Sequence, residues 1–123
     1  MTALRKKSLY PENVYYRPYQ GKPLYSHAVV VESGRLAFIS GQVARDAEGK
    51  VVGDGDMRAQ IEQVAKTIEE CLKAVGATVK DIVKMVTYVT DIDEYSKHVD
   101  LRAKYFAAAE AASSTVEVSR RAG

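Results

Sequence analysis

Sulfur chemistry is nearly absent from this chain. Its 123 residues include one cysteine, Cys71, so no internal disulfide can form. That usage suits a reducing compartment. Long apolar runs are also missing, and none approaches the ~18 residues that a membrane span needs. The opening residues carry no apolar stretch behind Arg5, Lys6 and Lys7, so they do not read as a secretory signal. We expect a cytoplasmic protein with no membrane partner. Charge of one sign is scarce: 18 Lys and Arg against 16 Asp and Glu leave a net +2. Nucleic-acid binding draws on clustered positive charge, so no nucleic-acid partner is expected. The one local excess, Arg5 to Lys7, reads as a solvated, partly frayed terminus. Also lacking are His or Cys pairs at metal-ligand spacing, a phosphate-binding glycine loop and a nucleophile elbow. No metal and no cofactor is expected. There is no repeat, low-complexity stretch or interior linker.

What remains is an ordinary globular balance, 46% hydrophobic and 28% charged. At this length we expect one domain over residues 1–123, with residues 1–20 as an extended arm. Pro11, Pro18, Gly21 and Pro23 punctuate the arm and keep it from coiling into a helix. Five tyrosines crowd residues 10–25 and imply that the arm lies against its own domain or a partner chain.

Residues 26–32 read as a strand rich in β-branched valine. Ser33-Gly34 reads as a turn, and residues 35–42 as the returning strand. The clearest signal follows. Met57, Ile61, Val64, Ile68, Cys71, Leu72 and Val75 recur at three- and four-residue steps and form one apolar helical stripe. Asp54 or Asp56 can cap its start, and Gly76 supplies a left-handed stop. Residues 82–90 read as a strand that is apolar on both faces. The helices can cover one of those faces, and the other needs a further subunit or layer. A second helical stripe starts at Tyr95 and runs through Val99 and Phe106 into an alanine-rich end. Residues 115–118 read as a last short strand. Two strand–helix–strand units predict an α+β fold, a mixed β-sheet with two helices packed on one face.

Few residues stand out chemically. His27 and His98 read as structural or exposed histidines, and Cys71 reads as a core thiol. Ser40-Gly41-Gln42 ends a strand where little side chain intrudes. Its bared backbone amides could receive a carboxylate or carbonyl oxygen, or it could be a simple glycine bulge.

Several segments together resemble the Rid family of reactive-intermediate deaminases, also called the YjgF or L-PSP family. They are Tyr25-Ser26-His27-Ala28-Val29, Phe38-Ile39-Ser40-Gly41-Gln42, Gly53-Asp54, Gln63 through the helix to Gly76, and Asp81-Ile82-Val83-Lys84. Tyr88-Val89-Thr90-Asp91, Tyr105-Phe106 and Ser114-Thr115-Val116-Glu117-Val118 complete the set. The resemblance covers roughly residues 20–120 in order. It implies a chorismate-mutase-like, RidA-like fold and a homotrimer with clefts between neighbouring subunits. It also implies hydrolysis of 2-imino acids to 2-oxo acids and ammonia, without cofactor or metal.

The resemblance puts the small-molecule site at Tyr25, Ser40, Gly41, Ser113 and Thr115. Ser113 stands where the active deaminases carry a carboxylate-gripping arginine, Thr115 where they carry a cysteine, and Val99 where an asparagine is usual. A further family strand bearing a water-orienting glutamate would fall after Gly123. Arg120 and Arg121 follow the last strand and are expected to face elsewhere. The resemblance leaves the catalytic residues unassigned and whether the chain is an enzyme open. Three functions are compatible: an arginine-less imine deaminase, a non-catalytic ligand-binding or regulatory trimer, and an endoribonuclease or translation inhibitor. The weak charge argues against the last.

Overall fold

The computed structural model describes residues 5–122. The apolar stripe forms helix α1 (Met57–Ala74), and both of its predicted ends are present. The Asp56 carboxylate accepts the Ala59 N–H at 3.1 Å, satisfying one of the orphan donors of the first turn. Gly76 turns left-handed at φ 75°, and the amides of Gly76 and Ala77 return to the carbonyls of Lys73 and Leu72. Gly53, just before the helix, is fixed by space as well as by its φ of +74°. A Cβ there would stand 2.7 Å from that of Ala59.

Strand β5 (Lys84–Val89) and strand β6 (Ala112–Glu117) pair in parallel, from Lys84 opposite Ala112 to Val89 opposite Glu117. Two helices, α2 (Ile92–Ser96) and α3 (Val99–Phe106), make the crossover that a parallel pair requires. The sequence predicts one helix here. His98, at φ −111° and ψ 30°, interrupts it. The alanine run after Phe106 tightens into a 3₁₀ turn and stops at Glu110, a left-handed residue at φ 47°. Helix α3 packs on α1. Leu72, Val89, Leu101, Phe106, Ala109 and Ala111 are buried around them.

The N-terminal run is held rather than frayed. Arg5–Leu9 forms strand β1, antiparallel to strand β4 (Ala28–Ser33), with a register shift between Arg5 and Lys6. The Lys6 ammonium donates to the Ile82 carbonyl at 2.7 Å and to the Ala109 carbonyl. Burial lowers its pKa, against the opposing pull of Asp81 and Glu110. Ser8 and Ser26 both donate to the Glu110 carbonyl. Burial and the neighbouring Glu110 carboxylate, which also bonds it, push the Tyr10 hydroxyl up to about 12. The strained Glu110 corner is thus tied to the arm. Strands β2 (Pro18–Tyr19) and β3 (Lys22–Pro23) form a small hairpin inside the arm.

The returning strand expected at residues 35–42 does not form. Every residue from 31 to 41 is exposed, and Phe38 is 94% exposed. The alternation of apolar residues is present, but the segment finds no ladder partner. Strand β4 takes β1 instead, and a cavity separates residues 39–44 from β5. Among the described residues the strands therefore lie in three two-stranded pairs rather than one continuous sheet. Residue 51 contributes only an isolated bridge to Arg45.

A polar clamp closes α1 onto α3. Arg58 donates to Asp100 twice, Nη1 to Oδ1 at 3.0 Å and Nη2 to Oδ2 at 2.8 Å. It also donates to His98 Nδ1 at 3.2 Å, which leaves the imidazole proton on Nε2, facing Glu94 at 3.0 Å. The Arg58 bonds hold the Asp100 carboxyl down to about 2, against an ordinary 3.8. A depressed carboxyl contributes stability that is complete above its unfolded value. Here that stability is lost as pH falls from about 4 to about 2. The melting temperature of Asp100→Asn should therefore fall less steeply than that of the parent through this window. Parallel melting curves would show that the pair contributes nothing.

Candidate functional site

A cavity of about 620 Å³ runs along the free edge of β5. That volume lies within the range of small-ligand sites, roughly 300–1,000 Å³. Met57, Ile61, Val64 and Ile68 of α1 form its floor, so the stripe faces this space as well as the core. Residues 39–44 form the opposite wall, which places Ser40 and Gly41 on the cavity. A Cβ on Gly41 would meet nothing within 4 Å, so its own chain does not demand a glycine there. Lys84, Arg120 and Arg121 add positive charge to the lining. Arg120 and Arg121 thus border the cavity, contrary to the expectation from their position after the last strand that they face elsewhere. Beyond Glu117 the chain leaves the ladder, and its alternation no longer sets side-chain direction.

The remaining candidate residues lie at a second place, around the start of β6. The Ser26 N–H donates to the Ala111 carbonyl at 3.1 Å, docking residues 25–27 beside that strand. The rings of Tyr25 and His27 meet edge to face, with centroids 5.6 Å apart. The Tyr25 hydroxyl accepts the Arg17 N–H at 3.1 Å. Ser113 Oγ accepts from Arg102 Nη2 at 3.0 Å, and Thr115 lies two residues on along the same strand face. Glu117 has a structural task, accepting the Ile92 N–H at 3.1 Å at the start of α2. Tyr25, Ser113 and Thr115 do not line the cavity that holds Ser40 and Gly41. One chain thus carries the candidate residues as two separate halves.

Sequence reasoning passed over Arg102. Its signal was spacing: it stands four residues before buried Phe106 and so shares that helix face. His27 is half-buried, with Nε2 fully enclosed and unpartnered. Cys71 is half-buried rather than deep in the core. Among the described residues, no group of three or more His, Cys, Asp or Glu is placed to hold a metal ion. No helix among them is long and apolar enough to cross a membrane.

The fold has close parallels of known structure. A Rid family protein from Yersinia pestis superposes with a TM-score of 0.79 at 35% identity, covering 95% of this chain and 88% of that one. RidA from an Antarctic Psychrobacter superposes with a TM-score of 0.63 at 28% identity, covering 77% of this chain and 75% of that one. This α+β architecture is therefore the Rid fold. A family model described as endoribonuclease L-PSP matches residues 19–122. A RutC family protein of Pyrococcus horikoshii is 31% identical over 99 residues, which cover 80% of this chain and 79% of the relative. The chain belongs to the Rid/YjgF/L-PSP family.

Proposed function

We propose that this chain is one subunit of a homotrimer whose inter-subunit clefts bind a small carbonyl or imine compound and add water to it. The observation that carries this reading is the division of the site. Ser40 and Gly41 line one cavity, whereas Tyr25, Ser113 and Thr115 lie at the start of β6. A cleft between subunits joins the half on one copy to the half on the next. The outer face of β5 and β6 supports the same reading. Val86, Tyr88 and Val116 are 45%, 57% and 41% exposed there, an apolar patch that the helices leave uncovered.

In such a cleft, bared amides around Gly41 polarise the C=N bond, and water adds to its carbon. The resulting carbinolamine expels ammonia and leaves the 2-oxo acid. A non-catalytic binding trimer is the second reading, and Ser113 is the observation that favours it. A neutral hydroxyl cannot give the charged, two-point grip of an arginine.

One assay separates the two readings. 2-Iminopropanoate or 2-iminobutanoate is generated in situ, and ammonia or 2-oxo acid is followed with and without the protein. Release that rises with protein concentration supports deamination. No acceleration by a trimer of confirmed size supports the binding role. A monomer that does not accelerate release overturns both.

A further inference from the structure

Helix α1 carries an apolar stripe that its own chain only partly buries. Ala65 and Leu72 are its buried residues. Met57, Ile61, Val64 and Ile68 stay half-buried and face the cavity along β5. Phe106 of α3 lines the same space. Apolar walls hold ordered water poorly, because a buried water needs roughly two to four polar partners. This side of the cavity therefore suits an apolar occupant.

The opposite wall brings polar backbone. Ser40 and Gly41 stand on it. Gln42 Nε2 donates to the Ser40 carbonyl at 3.0 Å and ties down the turn around Gly41. An occupant that satisfies both walls has a polar group at Gly41 and an apolar body along α1. Size narrows the choice. The six heavy atoms of 2-iminopropanoate, at about the 30 Å³ share of a water each, need under about 200 Å³. The cavity has about 620 Å³, so a ligand that ends in a methyl group leaves most of the α1 wall uncovered.

We propose that this site selects 2-imino or 2-oxo acids with a branched or aromatic side chain over those with a methyl group. The C=N or C=O group sits at Gly41, as in the cleft reading on which this inference rests. The side chain lies across Ile61, Val64 and Ile68. Each methylene group taken from water onto that wall should raise affinity about fourfold.

The test compares 4-methyl-2-oxopentanoate with 2-oxopropanoate, which share the polar head and differ by three apolar carbons. Titration calorimetry on the parent should find the larger acid bound about thirtyfold tighter or more. Val64→Phe puts a ring where the ligand side chain would lie. It should cut the preference to about threefold or less, while its melting temperature holds or rises because the ring fills apolar space. Ile61→Phe, about one turn earlier on α1, should do the same and serves as the test if Val64→Phe does not fold. Equal affinities in the parent, or tighter binding of 2-oxopropanoate, overturn the preference and leave the cleft standing. So does a preference that survives both substitutions. A parent that binds neither acid overturns the cleft reading itself.

Discussion

Val86→Asp should run as a monomer under size-exclusion chromatography with light scattering, where the parent, in the proposed assembly, should run as a trimer. Val86 and Tyr88 point away from the helices, and Tyr88 stands opposite Val116 across the parallel pair. Among the described residues Val86 and Tyr88 stay 45% and 57% exposed, and both also border the cavity along β5. Placing an unpaired carboxylate in an interface built on it costs about 3 kcal/mol per copy, the lower end for an uncompensated buried charge. Three copies make about 9 kcal/mol, or roughly a millionfold in the association constant. Val86 is 45% exposed in the single chain, so the variant subunit should keep its far-ultraviolet circular dichroism. A parent that is monomeric across the usual concentration range sinks the trimer, and the shared cleft goes with it.

Loss of assembly in that variant should also abolish ligand binding. Ser40 and Gly41 are supplied by residues 39–44 along the cavity, and Ser113 and Thr115 by β6. In the proposed cleft a ligand needs contacts from both halves, although the cavity beside Ser40 and Gly41 is about 620 Å³ in one chain. Retained affinity in a monomeric variant would place the whole site within one chain.

The elements with local causes were legible in the sequence. Helix α1 has a seven-residue stripe, an aspartate cap and a glycine stop, and all three signals are local. Strand β5 announced itself through β-branched residues, and its doubly apolar character correctly pointed to a face that this chain leaves bare. What stayed hidden was set by partners distant in sequence. Lys6 bonds to carbonyls 76 and 103 residues away, and no local pattern near Arg5 or Lys7 signals that. Residues 35–42 show the opposite failure. Their strand pattern is real, but a strand is a relation between two segments, and β4 had already paired with β1. The break at His98 follows no helix-breaking residue. There the imidazole is held between Arg58 of α1 and Glu94 of α2. The candidate site was half legible. Motif residues marked Tyr25, Ser40, Gly41, Ser113 and Thr115; spacing gives Arg102 only a helix face, and its bond to Ser113 appears once α3 is laid against β6.

Leu101→Ala should lower stability by about 2–5 kcal/mol, the range for truncating an enclosed leucine. Leu101 is 3% exposed on α3, the helix that also presents Arg102 and packs on α1. Several of the other buried core residues, Ala65, Ala109 and Ala111 among them, have no side-chain length with which to refill a space. Domains of this kind are held by about 5–15 kcal/mol, so the loss is a large share of the total. It should appear as a clear drop in the urea midpoint at unchanged slope. Phe38→Ala is the instructive contrast. At 94% exposure its ring contributes little within one subunit, about 0.5 kcal/mol or less. If Phe38 is covered on assembly, its truncation should lower the melting temperature only at concentrations where the trimer forms, because association stabilises by mass action. Leu101→Ala should lower it at every dilution. Equal concentration dependence in the two variants would mean that the exposed 31–41 segment takes no part in the interface.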